Sequence, residues 1–289
     1  MSGAVTIDRR EKLSQADFLR EYVGRLRPVI LTDAIRGWKA LGKWTPEYFG
    51  ERYGDLRATI DGRPMTVREV VARVRASTPE CPAPYLRNQP LADWPAEVRA
   101  DVMPLPTCTA PNWLESHLFP TRESLSFFEI FIGGRGAAFP VLHYDGLHTH
   151  AFVMEIYGTK EFCVYPPEQS AFVYPREGAE SNKSKVDDID HPDLARFPLF
   201  ARATPTRFVL QPGETLFIPA GWWHTARMLS AAISVSVNSA NAANWRSFTG
   251  DFCAQLARGH RPARVWLTKA YLAVLGHVLS LLEILPPLL

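Results

Sequence analysis

The chain has 289 residues, 46 % of them hydrophobic, with 32 basic against 30 acidic side chains and a net charge of +2. That length admits one large domain or two, and the apolar fraction is ample for a sizeable core. Charge this balanced argues against a polyanion-binding surface, so no nucleic-acid partner is expected. Cys81, Cys108, Cys163 and Cys253 are widely spaced with no C-x-x-C. They fit neither a zinc site nor a disulfide framework and predict reduced thiols in a cytoplasmic protein. The first ten residues lack an apolar stretch, so no signal peptide is expected.

In chain order, Leu13, Phe18, Leu19, Tyr22 and Val23 have helical spacing, with Ser14 or Asp17 as caps. Residues 27–33 read as a short buried strand. Thr45 as N-cap with Pro46 at the first helical position opens a helix. Residues 56–61 alternate as a strand, and Thr66 with Glu69 three residues on predicts a capping box for a helix over 65–75. A strand is expected over 84–91, carrying Tyr85, then irregular covering structure over 92–122 with a helical turn near 112–115. Ser126 begins the barrel, 133–137 is a turn, 139–145 a strand, and 145–158 a loop carrying His148 and His150. The polar stretch 168–200 is an insert between two halves of the barrel, followed by strands over 207–211 and 214–218. Residues 232–238 alternate strictly, with Ile233, Val235 and Val237 on one face and Ser234, Ser236 and Asn238 on the other. A polar face inside a barrel is expected to line a site.

The chemistry concentrates on His143 and Asp145. On a strand, residues i and i+2 leave the same face, so both side chains reach one point. An apolar strand and a Gly-containing turn over 211–224 deliver His224 as a third ligand. Two histidines and one carboxylate leave about three positions open on a first-row metal, the arrangement of non-haem Fe(II) oxygenases. A lone His-x-Asp is common, and a buried histidine bonded to a backbone carbonyl would suit His224 equally. Lys160, after Gly158-Thr159, carries a lysine into an apolar run. Facing solvent from an edge strand it would be unremarked; facing inward it needs an anionic partner.

The motifs His143-Tyr-Asp145, Gly158-Thr-Lys160, Tyr165-Pro-Pro167, the 211–219 run and Trp222-Trp-His224 resemble the JmjC/cupin-like 2-oxoglutarate oxygenases. Within these the chain is most similar to the group of the factor-inhibiting-HIF asparaginyl hydroxylase, over roughly residues 25–245. The resemblance implies a mainly β fold: a double-stranded β-helix (jelly roll) with core about 126–240, an N-terminal α/β cover and C-terminal helices. It implies Fe(II) on His143, Asp145 and His224, and O2 and 2-oxoglutarate as co-substrates. The distal carboxylate of 2-oxoglutarate would lie on Lys160, helped by Tyr85, with Asn238 nearby. Where the family often has Ser or Thr before the first ligand, this chain has Pro140, which donates no hydrogen bond. Hydroxylation of a protein or peptide side chain is the expectation. A free amino acid or small metabolite, a methylated lysine, another cupin chemistry such as isomerisation, and a non-catalytic binding module are the alternatives.

The domain is expected to span 1–245, with a helical extension over 246–289. Leu267, Tyr271, Val274, Leu275, Val278, Leu281, Leu282 and Leu285 recur at helical spacing up to Pro286-Pro287. Between Lys269 and Glu283 no charge occurs, a run shorter than the roughly 20 residues of a membrane span. No span is expected, and the resemblance implies a homodimer through this tail, with a membrane anchor as the rival.

Overall fold

Residues 6–120 and 127–284 are described by a computed structural model. The positions of Ser126, Leu285, Pro286 and Pro287 lie outside the described residues. β1 (Asp8–Arg10) pairs in parallel with β2 (Val29–Leu31). Between them Ser14 caps α1 (Gln15–Phe18), and the chain continues through a π-helical turn over Leu19–Val23. Thr45 caps α2 (Pro46–Arg52) by accepting the Tyr48 N–H, with Pro46 in the first turn where its missing donor is harmless. The hairpin of β3 (Arg57–Ile60) and β4 (Arg63–Thr66) runs into α3 (Val67–Arg75), and the Thr66–Glu69 capping box closes in both directions. Val67, Val70, Val71 and Val74 form the buried face of α3, each burial contributing about 1.5–3 kcal/mol.

After β5 (Leu86–Pro90) the covering segment contains α4 (Ala96–Asp101), a helix its proline-rich surroundings did not announce. A single helical turn capped by Asn112 lies at Trp113–Glu115, as expected. The remaining strands are β6 (Glu129–Gly133), β7 (His150–Tyr157), β8 (Lys160–Tyr165), β9 (Thr206–Leu210), β10 (Thr215–Ile218), β11 (Trp223–Met228) and β12 (Ala232–Ser239). They form a seven-stranded sheet ordered β1-β2-β10-β7-β12-β6-β5 and a three-stranded sheet ordered β11-β8-β9. Ile30, Ala151, Leu216 and Ile218 from the first sheet pack with Phe162, Val164 and Leu210 from the second, so the two sheets face each other as a jelly roll.

Three expectations are corrected. The N-terminal region does more than cover the barrel, because β1, β2 and β5 extend the large sheet. Residues 139–145 form no regular strand; the segment is held by isolated bridges from Ala138 to Arg227 and from His143 to Lys183 and His224. Most of the expected loop over 145–158 is β7, flanked in the sheet by β10 and β12. Buried on both faces, β7 reads as a nearly continuous apolar run and lacks the alternation that marks a half-exposed strand.

The central strands divide by parity. Phe152, Met154 and Ile156 of β7 and Ile233, Val235 and Val237 of β12 join the main core with Phe18, Phe49 and the valines of α3. Their alternate neighbours, among them Val153, Ser234, Ser236 and Asn238, turn into the space between the sheets. At the C-terminal end, α5 (Trp245–Leu256) and α6 (Pro262–Ile284) fold back on the chain. Leu272, Leu275 and Leu279 of α6 pack with Trp245, Phe248, Trp113 and Phe119.

Candidate metal centre

A cavity of about 1090 Å³ opens between the sheets, lined by His143, Asp145 and His224 and also by Lys160, Tyr85 and Asn238. All six residues singled out from the sequence therefore reach one space. His143 and His224 are brought side by side by reciprocal backbone hydrogen bonds, His143 N–H to His224 C=O at 3.1 Å and His224 N–H to His143 C=O at 2.6 Å. Directly opposed residues of an antiparallel pair project to the same side, and the two ring centroids are 4.4 Å apart. Asp145, two residues on, brings its Oδ2 to 3.7 Å from His224 Nε2. The ligand atoms of the three residues all lie within 4.8 Å of one another.

The tautomers favour metal binding. His143 Nδ1 lies 3.0 Å from the Val141 carbonyl oxygen and His224 Nδ1 lies 2.9 Å from the Trp222 carbonyl oxygen. A carbonyl only accepts, so each Nδ1 carries the proton and each Nε2 presents a lone pair. Phe139 stacks on the His143 ring at 4.3 Å, fixing its plane. Burial, reinforced by the neighbouring His224, holds the His143 imidazole well below its ordinary pKa and therefore neutral. Burial raises the Asp145 carboxyl, opposed by the neighbouring His224 and a hydrogen bond from Asn238. Two imidazoles that keep Nδ1 on a carbonyl and turn Nε2 inward, with one carboxyl group, fit a divalent cation with open positions.

Lys160 is 2 % exposed. Its Nζ donates to the Ser234 hydroxyl and lies 3.6 Å from Glu155 Oε2. Gly158 makes the preceding turn possible: at φ +74° a Cβ there would stand 1.8 Å from the Ala231 carbonyl oxygen. The Tyr85 hydroxyl makes no hydrogen bond among the described residues, and the Lys160 ammonium stands 6.0 Å from its ring centroid. Asn238 donates to Thr149 Oγ1 at 2.9 Å as well as bonding Asp145. Pro140 is exposed and off the cavity wall, whereas Thr149, Thr225, Ser234 and Ser236 are among the hydroxyl-bearing residues that line it.

The two extra histidines stand apart from the triad. His150 is fully buried on β7, where its Nδ1 accepts the Ala220 N–H at 3.0 Å. His148 Nδ1 lies 2.6 Å from Asp251 Oδ2, and its ring packs on Tyr144. Several cavity residues escaped the sequence. Glu129, 3.1 Å from Asn88 Nδ2, is one; Glu155, the partner of Lys160, is buried behind the wall and also escaped it. Arg258, His260 and Arg264, from the junction of α5 and α6, also line the cavity. A glutamate inside the apolar run 151–157 was the available signal for Glu155. Burial pushes the Glu129 carboxyl up to about 7, opposed by Asn88 and helped by Asp145.

Residues 15–246 match the family described as the cupin-like domain. Among curated proteins, the lysine-specific demethylase 8 of Xenopus tropicalis is 28 % identical over 232 residues, covering 76 % of this chain and 49 % of that protein. The arginine-specific demethylase JMJ20 of Arabidopsis thaliana is 26 % identical over 272 residues, 81 % of this chain and 56 % of its own length. Human HSPB1-associated protein 1 is 35 % identical over 123 residues, 42 % of this chain and 24 % of that protein. The chain thus spans about half the length of the two demethylases. These relatives bear out the oxygenase superfamily expected from the motifs and do not single out its asparaginyl-hydroxylase group.

Proposed function

The chain belongs to the cupin-like domain family, and from that premise we propose that it is an Fe(II)- and 2-oxoglutarate-dependent oxygenase that hydroxylates a C–H bond on a protein or peptide side chain. One observation carries the reading: two imidazole Nε2 atoms and one carboxylate oxygen converge on a cavity that also holds a buried lysine. When bound, Fe(II) with 2-oxoglutarate and dioxygen supplies the oxidising chemistry. His143, Asp145 and His224 would hold the metal, and three protein ligands would leave it positions for the co-substrates. In the β8–β11 register, His224 lies opposite Val164 and Lys160 opposite Met228. Those four residues correspond to roughly 13 Å of strand, a span bridged by a five-carbon diacid plus an extended lysine side chain. Lys160 would take the distal carboxylate, with the Tyr85 ring and the Ser234 hydroxyl beside its ammonium, and Asn238 orients Asp145. The apolar wall of Val153, Phe162 and Phe131 keeps bulk water from the reacting end.

A second reading, removal of an N-methyl group, is favoured by Glu129 and by the names of the relatives. Glu129 faces the same cavity with Asn88 as its hydrogen-bond partner among the described residues, and its carboxylate suits a cationic lysine or arginine side chain. Hydroxylating an N-methyl carbon is the same C–H chemistry, so the two readings differ in substrate alone. The test is succinate formation from 2-oxoglutarate by Fe(II)-loaded protein, screened against methylated and unmethylated basic peptides, other peptides and small amines. Failure to bind 2-oxoglutarate or to form succinate with any of them would overturn the proposal.

The reading includes a homodimer through α6. Trp266, Leu267, Val274 and Leu281 are each at least 60 % exposed on the face turned away from Trp245. The helix is long and apolar enough to cross a membrane by length and composition. Lys269 lies within that span, and a buried ammonium in hydrocarbon costs several kcal/mol, roughly 2.5–3.5 on insertion scales. A second copy of the same face covers the apolar stripe while leaving Lys269 at its edge in water.

A further inference from the structure

Glu155 and Lys160 form a buried pair that the proposed chemistry does not by itself require. Glu155 is 0 % exposed, and neither of its carboxylate oxygens has a hydrogen-bond partner. Its link to Lys160 is a 3.6 Å ion-pair contact, longer than a hydrogen bond. An ionised carboxylate in that position is poorly compensated, because buried charges need both pairing and hydrogen bonds. The surroundings supply little else. From β8 the group facing Glu155 is Lys160, its own ammonium pushed down by burial against the pull of Glu155, while Glu161 of the same strand pairs with Arg207 and Arg227; from β12, Ser234 lies opposite Glu155 and is neutral. From the β9–β10 turn, Glu214 contributes its backbone carbonyl to the Glu155 N–H, while its carboxylate is 3.0 Å from Arg9. Thr215 on β10 is neutral, and Tyr85 stands beyond Lys160, its phenol raised by burial and further by Glu155.

We infer that Glu155 is a positioning residue for the 2-oxoglutarate subsite, and that seating the distal carboxylate on Lys160 places one proton on Glu155. This rests on the 2-oxoglutarate reading above. Lys160 has three N–H donors, of which one goes to Ser234 and one faces Glu155, leaving one for an incoming anion. A second carboxylate on the same ammonium puts two anions on one cation in a water-poor cavity. Like charges so placed do not both stay ionised, and the one that protonates is the one without hydrogen bonds. The proton comes from solvent and forms the single new O–H bond. Burial already pushes the free Glu155 carboxyl up to about 8, with Lys160 opposing. Bound 2-oxoglutarate raises it further. The sign follows: below the free pKa Glu155 is already protonated and binding takes up little, while above it each binding event consumes a proton and affinity falls as pH rises.

The experiment is calorimetric titration of 2-oxoglutarate into the full chain loaded with Mn(II) under anaerobic conditions, in buffers of different ionisation enthalpy. Proton uptake should rise from near zero at about pH 6.5 towards one at about pH 9, with Kd weakening up to tenfold per unit above about pH 8. Glu155→Gln, neutral throughout, should reduce the uptake and flatten that slope by the share Glu155 carries, leaving only what Lys160 and the metal ligands contribute. Equal uptake in the two proteins overturns the inference. Should the variant not fold, difference infrared spectroscopy of the wild type decides: a protonated-carboxyl band gained on binding supports the inference, and its absence refutes it. Binding without proton uptake sinks this inference alone, whereas no binding at any pH sinks the 2-oxoglutarate reading itself.

Discussion

Replacing Lys160 by methionine keeps the length and apolar stem of the side chain and removes its charge. The lost charge-assisted contact to 2-oxoglutarate is worth about 1.5–3 kcal/mol, which raises Kd by roughly 10- to 150-fold. Stability responds differently, because Glu155 loses its counter-charge. At 3.6 Å and an effective dielectric near 20 the pair attraction is about 4.6 kcal/mol, an upper bound on the loss. Protonation of Glu155 caps it. A carboxyl whose folded pKa lies above its unfolded value stabilises fully below the unfolded pKa and loses that contribution as pH rises to the folded one. In the wild type that loss ends near the folded value of about 8. Without Lys160 the folded value moves higher, so the loss continues. The two proteins should have similar stability near pH 7 and diverge above about pH 8 by up to roughly 1.4 kcal/mol per unit. Calorimetry with 2-oxoglutarate and urea unfolding at several pH values measure both effects. An unchanged Kd would move the distal carboxylate off Lys160; Arg135, exposed and off the cavity wall, is no substitute. A stability loss of equal size at pH 6.5 and 9 would refute the reasoning about Glu155.

The remaining predictions concern the metal, the core and the tail. His143→Ala, Asp145→Ala and His224→Ala should each weaken Mn(II) binding beyond the roughly 10- to 100-fold lost when an outer partner goes, with circular dichroism unchanged; near-normal binding in any one removes that residue from the ligand set. Burial lowers the His150 imidazole to about 4, so stability present above pH 6.5 should fall by about 3 kcal/mol as pH drops through 4, and His150→Gln should flatten that slope in urea titrations. A slope identical in both proteins would assign the acid sensitivity elsewhere. Leu267→Glu with Val274→Glu on α6 should convert a dimer to a monomer in sedimentation, and a detergent-free wild type that already sediments as a monomer would remove the dimer.

His143, Asp145, Lys160 and His224 could be nominated in the chain because local spacing and the family resemblance point to them. The His-x-Asp interval, the Gly158 turn and the serine-bearing face of β12 each lie within a few residues of sequence. The caps at Thr45 and Thr66 were legible from local spacing, since a side chain bonds a backbone N–H three positions on. The extent of β7 was not, because a strand buried on both faces carries no alternation, and its existence depends on β10 and β12 flanking it.

Sequence by itself determined which residue types are available to hold a divalent metal and an anion. Tertiary structure alone decided which partners meet. The His143–His224 bond pair joins positions 81 residues apart, and a shared cavity faced Glu129 toward Asp145 and lined itself with Arg264. It also decided that Lys160 meets Glu155 as well as open cavity. Such contacts follow from how β7, β8 and β12 stack and register, which the global burial of apolar surface selects and no local interval encodes.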